Sequence, residues 1–375
     1  MIKDDIVRII RSVVINQGVA TDFSDVDWNS LWYDALKNHL EGIVYLAAKE
    51  HCELVPKVLF QQMQREYYKM TSRDVLQINL LERIEAKMKE AGIPYALQKG
   101  SILRYDYPDS IMRFMSDLDI YIDPHDRDRI KTAMEQIDGV FRGKESGDDQ
   151  FLFYNKFGVE FHGRLLYRKN NKGIIENYPA LEYINSDKNR LTEEGYALNL
   201  IGHAVGDLAK GGPGVRYILD LWIYRNRHIP QPDWDRVFSV LEQDGILIAS
   251  KNLLDLSEYL FGQQKETELI KEMAEYVLQG GLHGDPHRSS ISEIAITGGK
   301  SKALFHQLFR SRVEFENRYP WLKKYPFLIP VAWVMRLTSS IKRHGRVIRS
   351  WNKRVNKASN QEIERQRVIL RRFGL

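Results

Sequence analysis

The chain has 375 residues, 43% of them hydrophobic and 28% charged, with 19 Tyr, 15 Phe and 7 Trp. This length exceeds what one small hydrophobic core organises, and the composition is that of a folded chain. The single cysteine, Cys52, excludes an intrachain disulfide and a multi-cysteine zinc site, and it fits a reducing compartment. No signal-peptide pattern and no run of roughly 20 apolar residues is present, so we expect a cytoplasmic protein.

The charge is distributed unevenly along the chain. Residues 323–375 contain 14 Lys or Arg and two acids, a net charge of +12, whereas the other 322 residues carry −7. A basic tail of this kind suggests a polyanionic partner, such as nucleic acid, an acidic polymer or an anionic membrane. An apolar run at 325–335 precedes most of the basic residues, and this order predicts peripheral contact with the inner face of a membrane. The alternative is a last helix packed on the core, with a solvated basic extension.

The first region, residues 1–92, is predicted to be helical. Ile6, Ile9 and Ile10 recur at helical spacing, as do Leu80, Leu81 and Ile84. Gly92-Ile93-Pro94 then ends the last helix of this region, because glycine and proline both interrupt helical structure.

The pattern changes over residues 93–170. The sequence predicts strands at Pro94–Gln98 and Leu118–Asp123, each followed by a helix, the second at Asp126–Ile137. Two antiparallel strands, Gln150–Lys156 and Gly158–Leu166, complete a small mixed sheet.

Helical spacing returns over residues 171–322, in segments at Glu194–Leu208, Val215–Asn226 and Asp233–Gln243. The sequence therefore predicts an α+β fold. A small mixed-sheet lobe at 93–170 is embedded between a helical N-terminal region (1–92) and a helical C-terminal lobe (171–322), and a basic amphipathic tail follows at 323–375.

The sharpest chemical signal is Asp117-Leu118-Asp119. Side chains alternate between the faces of a strand, so the two carboxylates lie on one face, about 7 Å apart. Such a pair suits a hard cation, and Mg²⁺ takes oxygen ligands together with substrate phosphates. Alone, an Asp-x-Asp is more often a pair of solvated surface acids.

Two further segments extend this signal. Lys99-Gly100-Ser101 follows a predicted strand and opens a helix, where glycine lets backbone amides approach a phosphate and Ser101 adds a hydroxyl. On the strand Gly158–Leu166, Glu160, His162 and Arg164 share one face. Glu160 is the natural third acid, as a metal ligand or as a base for an acceptor hydroxyl.

These segments resemble a known family. Gly92-Ile93-Pro94, Lys99-Gly100, Tyr107-Pro108, Arg113 before Asp117-x-Asp119, and Glu160-x-His162 together are similar to the uncharacterised nucleotidyltransferase family of the DNA polymerase beta-like superfamily. The stretch from His203 through Gly212-x-Gly214-x-Arg216 to Asp220 is also similar. The resemblance runs from about Leu36 to Arg336.

The sequence departs from the family pattern at three positions. Glu160 stands where Asp is commoner, Gln98 where an apolar residue is usual, and Asp207 where a second His is expected. His203 and Asp207 share a helix face, as a buried pair or as nucleotide contacts. The spacing of Arg216 and Asp220 favours an intrahelix salt bridge.

The resemblance implies a nucleotidyltransferase that uses Mg²⁺ or Mn²⁺ and an NTP, for which ATP is the expected substrate. Asp117, Asp119 and Glu160 would hold the metal and carry catalysis. Lys99, Gly100, Ser101 and Arg113 would bind the phosphates. The acceptor hydroxyl could belong to a polysaccharide precursor, a protein or RNA. Two other functions fit the same residues: a non-catalytic nucleotide-binding or scaffold protein of surface polysaccharide assembly, and a toxin-like enzyme that nucleotidylates protein or tRNA.

Overall fold

We analysed the fold in a computed structural model. The structure describes residues 4–16, 21–145, 148–170, 173–185, 188–282, 284–303, 319–335 and 354–375.

Four helices form the N-terminal region. They are α1 (Asp5–Ile10, continued as a π-helical turn at Arg11–Ile15), α2 (Trp28–Asn38), α3 (Glu41–Glu50) and α4 (Lys57–Glu90). The side chains of Asp4 and Asp27 cap α1 and α2, because each accepts from backbone amides that the first turn leaves unpaired. The long helix α4 ends just before Gly92, whose φ of +61° is the left-handed turn that glycine favours.

A seven-stranded mixed sheet follows, in the spatial order β3-β4-β5-β2-β1-β9-β8. Its strands are β1 (Tyr95–Leu97), β2 (Asp117–Ile122), β3 (Val140–Glu145), β4 (Asp148–Phe153), β5 (Phe157–His162), β8 (Ile184–Asn185) and β9 (Arg190–Leu191). The short helices α5 (Gly100–Leu103) and α6 (Arg127–Glu135) connect early strands. A separate two-stranded sheet consists of β6 (Leu166–Lys169) and β7 (Ile175–Tyr178).

The central strands β2 and β5 run parallel, so that the first residues of both strands lie side by side. One face of the sheet buries Leu118, Ile120 and Ile122 against residues of α4 and α6. On the other face Tyr121 is buried, and its hydroxyl accepts a hydrogen bond of 2.8 Å from the Ala180 amide. The sheet is therefore packed on both faces.

The strand predicted at Gly158–Leu166 was too long, because it ends at His162. After Gly163 the chain leaves the first sheet, and the Leu165 amide donates to Tyr178 O, beside the β6–β7 hairpin. The predicted extension of this strand to Arg164 was therefore wrong. Strand β3 was not predicted, because its register shifts between Phe141 and Gly143 and so breaks the alternation.

Six helices form most of the C-terminal lobe: α7 (Glu193–Ala209), α8 (Val215–Arg227), α9 (Trp234–Gln243), α10 (Leu247–Phe261), α11 (Glu268–Leu278) and α12 (Pro286–Thr297). Helix α13 (Asn360–Arg372), inside the basic tail, opens with a capping box at Ser359 and packs against α12. Among the described residues, no helix has the length and apolar character needed to cross a membrane.

The predicted α+β fold is confirmed. The largest buried cluster draws residues from both α1–α3 and α7–α11, so one hydrophobic core crosses the predicted boundaries at 92 and 170. The division into 1–92, 93–170, 171–322 and 323–375 stays a prediction. Within the tail, residues 336–353 lie outside the described residues.

Candidate functional site

The parallel register of β2 and β5 brings the predicted acids to one place. Asp119 lies beside Glu160, and Asp117 lies beside Gly158, two residues nearer the start of both strands. Potential ligand atoms of Asp119, Glu160 and His162 all lie within 4.8 Å of one another. Asp117 lines the same cavity as Asp119 and Glu160.

Asp119 is the electrostatic centre of this group. Its Oδ1 accepts from Lys99 Nζ at 3.0 Å and lies 2.6 Å from His162 Nε2. Burial alone would raise the pKa of Asp119, but the two cations outweigh burial and hold that pKa far below its usual range. Asp119 is therefore anionic at any physiological pH.

His162 lies between two carboxylates. Its Nε2 contacts Asp119, and its Nδ1 lies 3.3 Å from Asp148 Oδ2. Burial lowers the pKa of His162, but the hydrogen bonds to these acids prevail and raise it to about 9. At neutral pH His162 is therefore a cation that holds Asp119 in place, and it would have to lose a proton before it could bind a metal ion.

The other two acids are less constrained than Asp119. Asp117 Oδ1 accepts from Ser116 Oγ at 2.9 Å, and Glu160 Oε1 accepts from Gln150 Nε2 at the same distance. Burial raises the pKa of Glu160, although His162 partly opposes this shift, and Asp119 adds to it. A raised pKa suits a carboxylate that accepts a proton during a reaction.

The Lys99-Gly100-Ser101 segment enters the site through an unusual backbone conformation. Lys99 has φ of +47°, a left-handed value that a lysine adopts only at a cost of about 1–3 kcal/mol. Tyr196 donates its hydroxyl hydrogen bond to Lys99 O at 2.7 Å and so fixes this turn. The turn directs the ammonium group of Lys99 back to Asp119. Helix α5 has only four residues, so its dipole contributes little, and Ser101 Oγ is buried without a hydrogen-bond partner among the described residues.

Arg113 is committed to an ion pair within the protein. It is 3% exposed, and its Nε donates to both oxygens of Asp220 on α8, at 2.7 and 3.0 Å. Tyr107 donates a further hydrogen bond to Asp220 at 2.7 Å. The expected Arg216–Asp220 salt bridge was therefore wrong, because Arg113 and Tyr107 already occupy the Asp220 carboxylate.

The acids and the lysine open into a cavity of about 250 Å³. One wall comes from the central strands β2 and β5 and the Lys99-Gly100-Ser101 segment, and the other comes from α7, α8 and the loop before α12. The predicted residues that line it are Lys99, Gly100, Ser101, Arg113, Asp117, Asp119 and Glu160. All seven predicted site residues therefore meet at one cavity.

The opposite wall contains His203, Asp207, Arg216 and Tyr217. The alternation of residues along the strands could not indicate that these helical residues line the site. His203 Nδ1 lies 3.4 Å from Asp207 Oδ2, and burial lowers the pKa of His203 to about 4, so it is neutral. Both facing atoms are buried without a hydrogen-bond partner among the described residues. The sequence signal for this wall was the glycine-rich stretch that ends in Arg216.

Comparison with protein families gives one match. The family described as Uncharacterised nucleotidyltransferase matches residues 24–262, a range that contains every residue of the cavity wall except Leu282. No curated protein and no solved structure matches the chain. The match covers well over half of the sequence, and the chain belongs to this uncharacterised nucleotidyltransferase family.

Proposed function

We propose that the protein is a divalent-metal-dependent enzyme that transfers a nucleotidyl group from an NTP, expected to be ATP, to an acceptor hydroxyl. Two observations support the proposal together: Asp117, Asp119 and Glu160 line one cavity, and the chain belongs to a nucleotidyltransferase family. A lysine beside the acids and a buried serine hydroxyl in the same cavity suit a phosphate-bearing substrate.

The donor set fits a hard cation. Carboxylate oxygens are the ligands that Mg²⁺ and Mn²⁺ prefer. Asp117, Asp119 and Glu160 would hold the ion, and Asp119 would use Oδ2, since its Oδ1 already accepts from Lys99 and His162. When bound, the ion would polarise the phosphoryl oxygens and stabilise the charge that develops on them.

The residues of the chain supply the remaining chemistry. The acceptor oxygen attacks the α-phosphorus of the NTP, the bond from that phosphorus to the bridging oxygen breaks, and pyrophosphate leaves. Glu160 is the third ligand of the ion or, in the alternative, the base: off the ion, its carboxylate, whose pKa burial raises, would take the proton of the acceptor hydroxyl. Lys99, Gly100 and Ser101 would surround the phosphates, and Arg113, paired with Asp220, would hold the wall of the cavity in place. Most of the catalysis would come from positioning and charge stabilisation.

A labelling experiment tests the proposal and identifies the acceptor class. Purified protein, a cell lysate and each α-³²P-NTP in turn are incubated with Mg²⁺, and the products are separated as protein, RNA and glycan. Label in any class, absent with the Asp117→Asn variant, supports transfer. Label in protein or tRNA would favour the toxin-like function. Nucleotide binding with no labelled product in any fraction would contradict transfer and favour a binding or scaffold protein.

The apolar segment before the basic tail supports a second, peripheral role at an anionic membrane. Phe327 is 74% and Val334 61% exposed, and Val331 and Met335 are also exposed. Such side chains insert into a bilayer interface, and the +12 charge of residues 323–375 would add attraction to anionic lipids. Cytoplasmic location at the inner face of the membrane belongs to this proposal.

Sedimentation with vesicles measures the membrane contribution. Removing residues 323–375 would also remove α13, which packs against α12, so we choose Phe327→Asp with Val334→Asp. We expect binding to phosphatidylglycerol-containing vesicles to fall by about 10-fold or more, since burying each side chain contributes roughly 1.5–3 kcal/mol. Val58→Asp, at an exposed apolar residue of α4, is the matched control. Equal sedimentation of the wild type and the double variant would contradict membrane contact.

A further inference from the structure

Arg216 is a buried guanidinium without a hydrogen-bond or salt-bridge partner in the part of the chain that the structure describes. It is 5% exposed, yet its Nε and Nη1 make no hydrogen bond to any described residue. A buried charge that lacks a partner costs several kcal/mol of stability, so proteins rarely keep one without a use. Arg216 lines the same cavity as the acids.

Among the described residues, no acid forms a salt bridge with Arg216. Asp220 is one turn along α8, but its carboxylate is occupied by Arg113 and Tyr107. Glu41, which also interacts electrostatically with Arg216, is half-buried, and its burial raises its pKa to about 7, so it provides only part of a countercharge. Burial, together with repulsion from Arg113, lowers the pKa of Arg216, and attraction to Asp220 opposes this shift only in part. The guanidinium that lines the cavity therefore has unused donors and an incomplete countercharge.

The location of Arg216 indicates which anion it would meet. Helix α8, which carries Arg216, packs against α5, which carries Gly100 and Ser101. The Ser101 hydroxyl is also buried without a partner among the described residues. Arg216 and Ser101 are thus two unsatisfied polar groups on neighbouring elements, and the metal-type acids line the same cavity.

We propose that Arg216 binds the β- and γ-phosphates of the NTP, and hence the pyrophosphate that leaves, whereas Arg113 is a structural ion-pair partner of Asp220. This inference rests on the proposed function. An NTP with its α-phosphorus at the acids extends its two outer phosphates along the cavity to Ser101 and Arg216. The planar guanidinium offers parallel donors that match phosphate oxygens, and a lysine ammonium lacks this geometry.

The test compares two ligands that contain the outer phosphates with one that lacks them. The affinities of the full chain for Mg-ATP, Mg-pyrophosphate and AMP are measured by calorimetry. With Arg216→Met we expect Mg-ATP and Mg-pyrophosphate to bind about 10- to 100-fold more weakly, as for loss of charge-assisted hydrogen bonds, with AMP affinity unchanged. Arg216→Lys, which keeps the charge, should lose less affinity for Mg-ATP and Mg-pyrophosphate than Arg216→Met. Arg225→Met removes an exposed arginine from the same helix and is the control.

Unligated Arg216→Met should melt no lower than the wild type, because it removes a buried charge and strands no partner. Equal Mg-ATP and Mg-pyrophosphate affinities in the wild type and both variants would overturn the inference. So would an equal loss for AMP, which would indicate a contact with the nucleoside or with the acceptor instead. Wild-type protein that binds none of the three ligands would contradict the proposed function itself, so the two failures are distinguishable.

Discussion

Asp117→Asn is expected to reduce nucleotidyl transfer by about 10³-fold while leaving the melting temperature unchanged. A lost metal ligand removes several kcal/mol of transition-state stabilisation, and each 1.4 kcal/mol is tenfold in rate. Asp117 is the right position because its carboxylate is hydrogen-bonded only to the adjacent Ser116 among the described residues. The measurement is incorporation of α-labelled NTP into the identified acceptor by purified protein.

Asp119→Asn alone would be a less informative variant. It would leave the Lys99 ammonium and the His162 cation without their shared carboxylate, so a loss of activity could reflect a damaged fold. Asp128→Asn, at an exposed acid in the first turn of α6, is the control for Asp117→Asn. Transfer by Asp117→Asn at the rate of this control would contradict the assigned metal ligand.

Arg113→Met is expected to lower the free energy of unfolding by about 3–5 kcal/mol, because it leaves the buried Asp220 carboxylate without its cation. The pair joins the segment before β2 to helix α8 and so connects the sheet to the C-terminal lobe. Urea denaturation of the purified variants measures the change.

A double variant separates this ion pair from other effects of the substitution. Arg113→Met with Asp220→Asn removes both charges, so most of the lost stability should return, and the coupling in a double-mutant cycle should be large. Arg216→Met, an identical change on α8, should not destabilise the unligated protein. If Arg113→Met were as stable as the wild type, the distinction between a structural Arg113 and a phosphate-binding Arg216 would fail.

The acids on β2 and β5 could be predicted from the sequence because their signals are local. Alternation on Asp117–Ile122 placed the two aspartates on one face, and the same rule placed Glu160 and His162 together on β5. Glycine and proline correctly marked the end of α4. The weakly alternating strand β3 was not predicted, because its register shift at Gly143 interrupts the two-residue alternation that identifies a strand.

The opposite wall of the cavity could not be predicted by the same means. Which acid neutralises which arginine depends on tertiary packing, and the four-residue spacing of Arg216 and Asp220 indicated the wrong pair. Arg113 is 107 residues from Asp220 in sequence, and no local pattern connects them. The left-handed turn at Lys99, which directs its ammonium to Asp119, is likewise held by a distant residue, Tyr196.

The central claim is that the acids of β2 bind a nucleotide through a divalent metal, and a binding titration tests it most directly. Each of the four magnesium NTPs is titrated into wild-type protein and into the Asp117→Asn variant. We expect the wild type to bind at least one NTP, and Asp117→Asn alone, which strands no buried cation, to bind it at least about 10-fold more weakly, with the difference lost when EDTA removes the metal. Equal binding by the wild type and Asp117→Asn, or binding that EDTA does not affect, would contradict the metal site.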